Sequence, residues 1–121
     1  MTQKEISKRY DLEDRTLIFA TRVRASVKRL RKTITNMKMG KQVIRVSGSV
    51  GSNYIEANES LSKKDFVMRI KISRKESKES RYWLRLLDTG DDSELEKERK
   101  VLVQEATELM KIFGSILQKS E

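Results

Sequence analysis

The sequence predicts an all-α protein, an up-down-up-down four-helix bundle, on three observations. Its 121 residues contain no proline and only five glycines, too little turn chemistry for a chain of many short elements. Charged residues make up 37% and aromatics 6%, and Lys, Glu, Arg and Leu abound, the composition of long helices. Apolar residues also recur at spacings of three and four through four successive segments. A chain of this length forms one domain with a single core.

The first helix is predicted over about residues 12–32, after a polar lead-in at 1–11. Leu12, Thr16, Phe19, Ala20, Val23, Val27 and Leu30 fall on one stripe at about 100° per residue. Acids open it (Glu13, Asp14) and bases close it (Lys28, Arg29, Arg31, Lys32), as the helix dipole prefers. Arg15, Arg22 and Arg29 form one basic row and Arg24, Lys28 and Arg31 another. Leu17 and Ile18 lie off the core stripe, an adjacent apolar pair that points to a second contact surface.

The second helix is predicted over about 37–60, with Asn36 as its cap. Met39, Val43, Val46, Val50, Tyr54, Ala57 and Leu61 keep the helical spacing. They run straight through Arg45–Ala57, the least charged stretch of the chain. Propensity alone leaves a hairpin open there, because Val46-Ser-Gly-Ser-Val50 also alternates. Two interior glycines cost a helix roughly 1 kcal/mol each against alanine. Ile44, Gly48, Gly51 and Ile55 form a narrow second stripe on which another helix could approach closely enough to offset that cost.

The third helix is predicted over about 62–87, opened by Ser62 with Asp65 three residues on. Its core stripe is Phe66, Ile70, Ser73, Ser77, Ser80, Leu84 and Leu87. A second face carries Met68, Ile72, Trp83 and Leu86, with Glu76 and Glu79 between them. A helix apolar on two faces wants two partners. Asp88-Thr-Gly-Asp-Asp92 is a turn, with Gly90 suited to a helix C-terminus. The fourth helix, about 93–118, is capped by Ser93 with Glu96 completing a capping box. Its core face holds Leu95, Leu102, Ala106, Leu109, Phe113, Ile116 and Leu117.

The residues exclude much chemistry. With no Cys and no His, Cys/His zinc sites, thiol nucleophiles and imidazole-based triads are ruled out. No run reaches the ~18 apolar residues of a membrane helix, and no signal peptide opens the chain, so a cytoplasmic protein is expected. Gly48-Ser-Val-Gly51 lacks the lysine and the strand–helix setting of a phosphate-binding loop. Glu76 and Glu79 three residues apart read as structural ion-pair partners, one of them expected to meet an arginine such as Arg45 or Arg81 within the assembly, and not as catalytic acids. Tyr82 and Trp83 read as packing residues, because strand-binding platforms display several aromatics on an open basic surface. No cofactor or metal is expected, and no enzymatic activity.

The whole surplus of nine positive charges lies within the first 45 residues. Such asymmetry fits a polyanionic partner; the plain alternative is a solvated helix face. Arg22, Arg24, Lys28, Arg29, Arg31, Lys32, Lys38 and Lys41 are the candidate nucleic-acid-binding set. They would act by phosphate contacts with little sequence preference. The alternative use of that face is a scaffold docking an acidic partner, such as a nucleic-acid enzyme.

Several phrases carry a family resemblance: Tyr10-Asp-Leu-Glu-Asp-Arg-Thr16, Phe19-Ala-Thr-Arg-Val-Arg24, Gly40-Lys-Gln-Val-Ile-Arg45, Ser49-Val-Gly-Ser-Asn-Tyr-Ile-Glu-Ala57, Ser62-Lys-Lys-Asp-Phe66, Lys75-Glu76 and Glu79-Ser-Arg-Tyr-Trp-Leu84. In order and spacing they resemble the bacterial four-helix-bundle proteins encoded by intervening sequences of 23S rRNA genes, and more distantly the accessory variability proteins of retroelements. The resemblance implies that Arg45–Ala57 is helical. It also implies a ring of subunits, a homopentamer, and carries over no catalytic residue. Arg31 stands where the family pattern has a proline, which bears on the position of the first turn. The oligomer interface is expected at Leu17, Ile18, Ile44, Gly48, Gly51, Ile55, Met68, Ile72, Trp83 and Leu86.

Overall fold

Four amphipathic stripes on one short chain can bury themselves only against each other, and they do so as four antiparallel neighbours. The computed structural model describes residues 2–120, the side chains of 4–10 excepted. The helices are α1 (Gln3–Arg29), α2 (Ile34–Asn58), α3 (Lys63–Leu86) and α4 (Ser93–Lys119), with no strand among the described residues. Helix α1 starts nine residues before the expected Leu12, since neither proline nor glycine interrupts that stretch. Helix α2 runs unbroken through Gly48 and Gly51.

The predicted stripes form the core. Phe19, Val23, Val43, Val46, Val50, Ile70, Leu84, Leu102, Leu109 and Phe113 are fully buried, and Tyr54 meets Phe113 with ring centroids 5.8 Å apart. Leu61, expected at the end of the second stripe, is instead wholly exposed in the α2–α3 turn. Helix α2 already ends at Asn58, so the helical period no longer applies to Leu61.

The α2–α3 contact is closest where side chains are smallest. Ser47, Ser73, Ser77 and Ser80 are buried, and Ser73 Oγ donates to the Val50 carbonyl of α2 at 2.9 Å. The other hydroxyls bond carbonyls of their own helices, so the seam carries little side-chain bulk and no unpaired hydroxyl. Two glycines serve α1 in the same way. A Cβ on Gly40 would stand 2.9 Å from Val27 Cγ1, and one on Gly51 would stand 2.8 Å from Thr16 Oγ1. Around Gly48 there is open space. The narrow stripe predicted to face another subunit is therefore divided, with Gly51 turned inward onto α1 and Ile44, Gly48 and Ile55 turned outward.

The turns rest on polar side chains. Thr33, not Asn36, caps α2, accepting from the Asn36 N–H. Asn36 lies inside the first turn and is 3% exposed. Its amide donates to the carbonyls of Arg31 and Asp88, and its oxygen accepts from the Asp88 N–H. One side chain thus ties the α1–α2 turn to the α3–α4 turn. Ser62 caps α3 as expected. Asp92 caps α4 in place of Ser93, through its bond from the Leu95 N–H at 3.0 Å; that bond, foremost, holds the Asp92 carboxyl below its ordinary range. Glu96 is drawn off the expected capping box by Arg99 and Thr89, and the Arg99 bonds are the first cause of its lowered pKa. Gly90 takes φ +60, the left-handed region that glycine enters without strain.

Candidate nucleic-acid interface

The basic set of α1 separates into two groups with different surroundings. Helical spacing puts Arg15, Arg22 and Arg29 on the flank that meets α4, and α4 presents a row of acids there. Arg15 grips Glu105 with two bonds of 2.7 Å and reaches Glu108 at 3.2 Å. Arg22 makes a two-pronged pair with Glu98, and Arg29 reaches Asp92 at 3.0 Å. The hydrogen bonds that Arg15 and Arg22 donate to Glu105 and Glu98 raise the pKa of Arg15 and Arg22 respectively. These arginines span a seam whose helices approach less closely than the others, which explains their length and their regular spacing. Arg22 and Arg29, expected to meet nucleic acid, are thus held as struts between α1 and α4.

Arg24, Lys28, Arg31 and Lys32 of α1 and its turn, with Lys38 and Lys41 of α2, are exposed and make no ion pair with the described residues. No Asp or Glu occurs from residue 15 to residue 55, so no acid lies within a turn of them on their own helices. They surround the α1–α2 turn beside a shallow recess of 190 Å³ lined by Arg31, Lys32, Met37, Lys41 and Ile44 among others. The arrangement offers mobile cations on a convex end of the bundle, suited to phosphate oxygens.

The expected ion pairs of α3 do not form within the chain. Arg45 donates to Gln42, and Arg81 to Thr107 at 3.4 Å. Glu76 is 5% exposed; one carboxylate oxygen lies 3.8 Å from Lys75 Nζ and the other, Oε2, has no partner. Burial first, and then the neighbouring Glu79 carboxylate, raise the Glu76 pKa. Sequence spacing could place Glu76 beside Arg45 and Glu79, but not show that the α2–α3 contact would close over it. No group of three metal-ligating side chains occurs among the described residues, and no helix is long and apolar enough to cross a membrane.

Of the residues expected at an oligomer interface, Leu17 (64% exposed), Ile18 (57%), Ile44, Ile55, Met68 and Leu86 are outward, with Ile72 and Trp83 half-buried; Ile34, Met37, Tyr82 and Val101 are exposed as well. One basic surface escaped the sequence reading. Helix α3 presents Lys71, Arg74, Lys78, Arg81 and Arg85 along the flank toward α4. Net charge over residues 46–121 conceals them, because acids elsewhere in that stretch balance the count, Glu98 and Glu105 among them being paired with α1.

Comparison with known proteins agrees with this architecture. A crystal structure of a protein of unknown function from the S23 ribosomal protein family of Bacteroides thetaiotaomicron VPI-5482 superposes with a TM-score of 0.73 at 29% identity, covering 87% of this chain and 96% of that one. A search of curated proteins gives no match. The family profile described as 23S rRNA-intervening sequence protein matches residues 8–115, and the chain belongs to that family.

Proposed function

We infer that the protein is a non-enzymatic, self-associating bundle that binds structured RNA or DNA through phosphate contacts at the α1–α2 turn. The observation that carries this reading is the cluster Arg24, Lys28, Arg31, Lys32, Lys38 and Lys41, exposed and without carboxylate partners on a stretch that contains no acid. Uncompensated cations repel one another and gain by meeting a polyanion. The division of α1 sharpens the residue roles: Arg24 and Arg31 contact phosphates, whereas Arg22 and Arg29 hold α1 to α4.

Fluorescence anisotropy with a labelled RNA hairpin, over a salt series, tests this. The wild type binds at ~50 mM salt and loses affinity steeply as salt rises. Arg24→Gln/Arg31→Gln weakens binding about tenfold and leaves the melting temperature unchanged. Arg22→Ala costs about 0.5–1 kcal/mol of stability, the scale of a well-oriented exposed pair, and leaves affinity within about twofold. Absence of binding at ~50 mM salt would sink the reading.

A further inference from the structure

The α3–α4 groove is the strongest feature that the α1–α2 reading leaves unused. It holds about 550 Å³, and its charged lining is Lys71, Arg74, Arg81 and Lys111, with no carboxylate. Arg81 makes one long bond to Thr107, while Lys71, Arg74 and Lys111 have no hydrogen bond or ion pair to the described residues. Along α3 the row continues through Lys78 and Arg85 at spacings of three and four. On a helix such spacing stacks like charges one above the next, each pair costing a few tenths of a kcal/mol. Along the α1–α4 seam this chain answers a basic row with an acidic one, as Glu98, Glu105 and Asp92 answer Arg22, Arg15 and Arg29. In this groove it does not.

The floor gives a second, independent observation. Gly114 lies in the last two turns of α4 and lines the groove, yet a Cβ there would meet nothing within 4 Å. Gly40 and Gly51 are explained by close approach of α1; Gly114, like Gly48, has no such contact, and of those two Gly114 is the one that lines this groove. Its effect is to keep the groove deep between Met110 and Leu117.

We propose that the α3–α4 groove is a binding track for single-stranded nucleic acid, separate from the α1–α2 surface. Lys71 to Arg81 spans ten residues, about 15 Å of helix, so the cations form a line suited to a linear polyanion. The surface groove between two packed helices is narrow, so a single phosphate backbone can lie along it where a duplex cannot. No aromatic side chain lines the groove, so it is not a base-stacking platform; contact is with phosphates alone and is indifferent to sequence. The groove lies on the opposite seam of the bundle from α1 and α2. One chain can therefore hold a structured element on one side and a single strand on the other. The proposal shares only its ligand class with the preceding reading.

The test uses the full chain, a labelled oligothymidylate and a labelled duplex. Lys71→Gln/Arg74→Gln/Lys111→Gln is expected to weaken strand binding at least tenfold at about 0.1 M salt, lower the salt slope by about two, and leave duplex binding within about twofold. Gly114→Leu, which fills the floor without changing charge, is expected to weaken strand binding severalfold with an unchanged melting temperature. Arg24→Gln/Arg31→Gln is expected to spare the strand and lose the duplex. The groove assignment is overturned if the triple variant or Gly114→Leu binds the strand as the wild type does. It is also overturned if the triple variant loses duplex and strand equally, or if polyglutamate displaces the strand at matching charge concentration. Loss of strand binding alone, with duplex binding absent from the wild type, would sustain the groove and remove the α1–α2 reading.

Discussion

At the scale of single residues, Glu76 is the side chain most at odds with its surroundings. A buried carboxylate oxygen without a hydrogen bond is costly, and the groups facing it are Lys75 and Glu79 on α3 and Arg45 on α2. Its folded pKa lies above the unfolded value. Glu76 therefore favours folding most below the unfolded pKa, and that contribution is lost as pH rises through the folded one. Glu76→Gln keeps the shape and removes the charge. We expect it to melt a few degrees higher than the wild type at pH 7, a difference on the order of 1 kcal/mol in a domain of this size. The two should converge near pH 4. Circular dichroism melts across pH measure this, and a lower melting temperature for the variant at pH 7 would show that the carboxylate has a cationic partner supplied by another chain.

At the scale of elements, the two interior glycines of α2 make opposite demands. Gly51 faces Thr16, and a Cβ would stand 2.8 Å from Oγ1 and 3.1 Å from Cβ of that β-branched residue, which has little freedom to turn away. Gly51→Ala should therefore destabilise by about 1–3 kcal/mol. Gly48 faces open space, so Gly48→Ala should stabilise by about 0.5–1 kcal/mol through helix propensity. Denaturant melts of the two variants give the signs, and equal effects would contradict the placement of α1 against α2. The helices themselves were legible because period, capping residues and turn chemistry agree at each. The side of α2 that each glycine occupies was not, since Gly48 and Gly51 lie only about 60° apart by helical geometry, the width of the boundary between a buried flank and an open one. Asn36 was misread for a related reason. An asparagine before a helical period looks like a cap, and only the distant Asp88 backbone makes it a clamp between turns.

At the scale of the whole molecule, the decisive fact is how folding redistributes charge. Along the chain, the first 45 residues look basic and the rest neutral. In three dimensions Glu98 and Glu105 of α4 and its cap Asp92 pair with Arg22, Arg15 and Arg29, which leaves the uncompensated charge at the α1–α2 turn and in the α3–α4 groove. A linear count cannot anticipate this, because the pairing joins residues more than sixty positions apart. The outward apolar residues occupy the remaining surfaces: Leu17, Ile44 and Ile55 on α1 and α2, and Met68, Ile72, Trp83 and Leu86 on α3. Two such faces on different sides of one chain can pair head to tail, and a heterologous contact of that kind closes into a ring when its rotation permits. We therefore expect the protein in solution to be a multiple of the 14.1 kDa chain, five-fold for a pentamer. Met68→Glu/Leu86→Glu places charge on half-exposed positions outside the core, so it should leave the helical circular dichroism intact and reduce the particle to single chains by sedimentation. A wild type that sediments as one chain would mean that these apolar faces serve some other partner than a second copy.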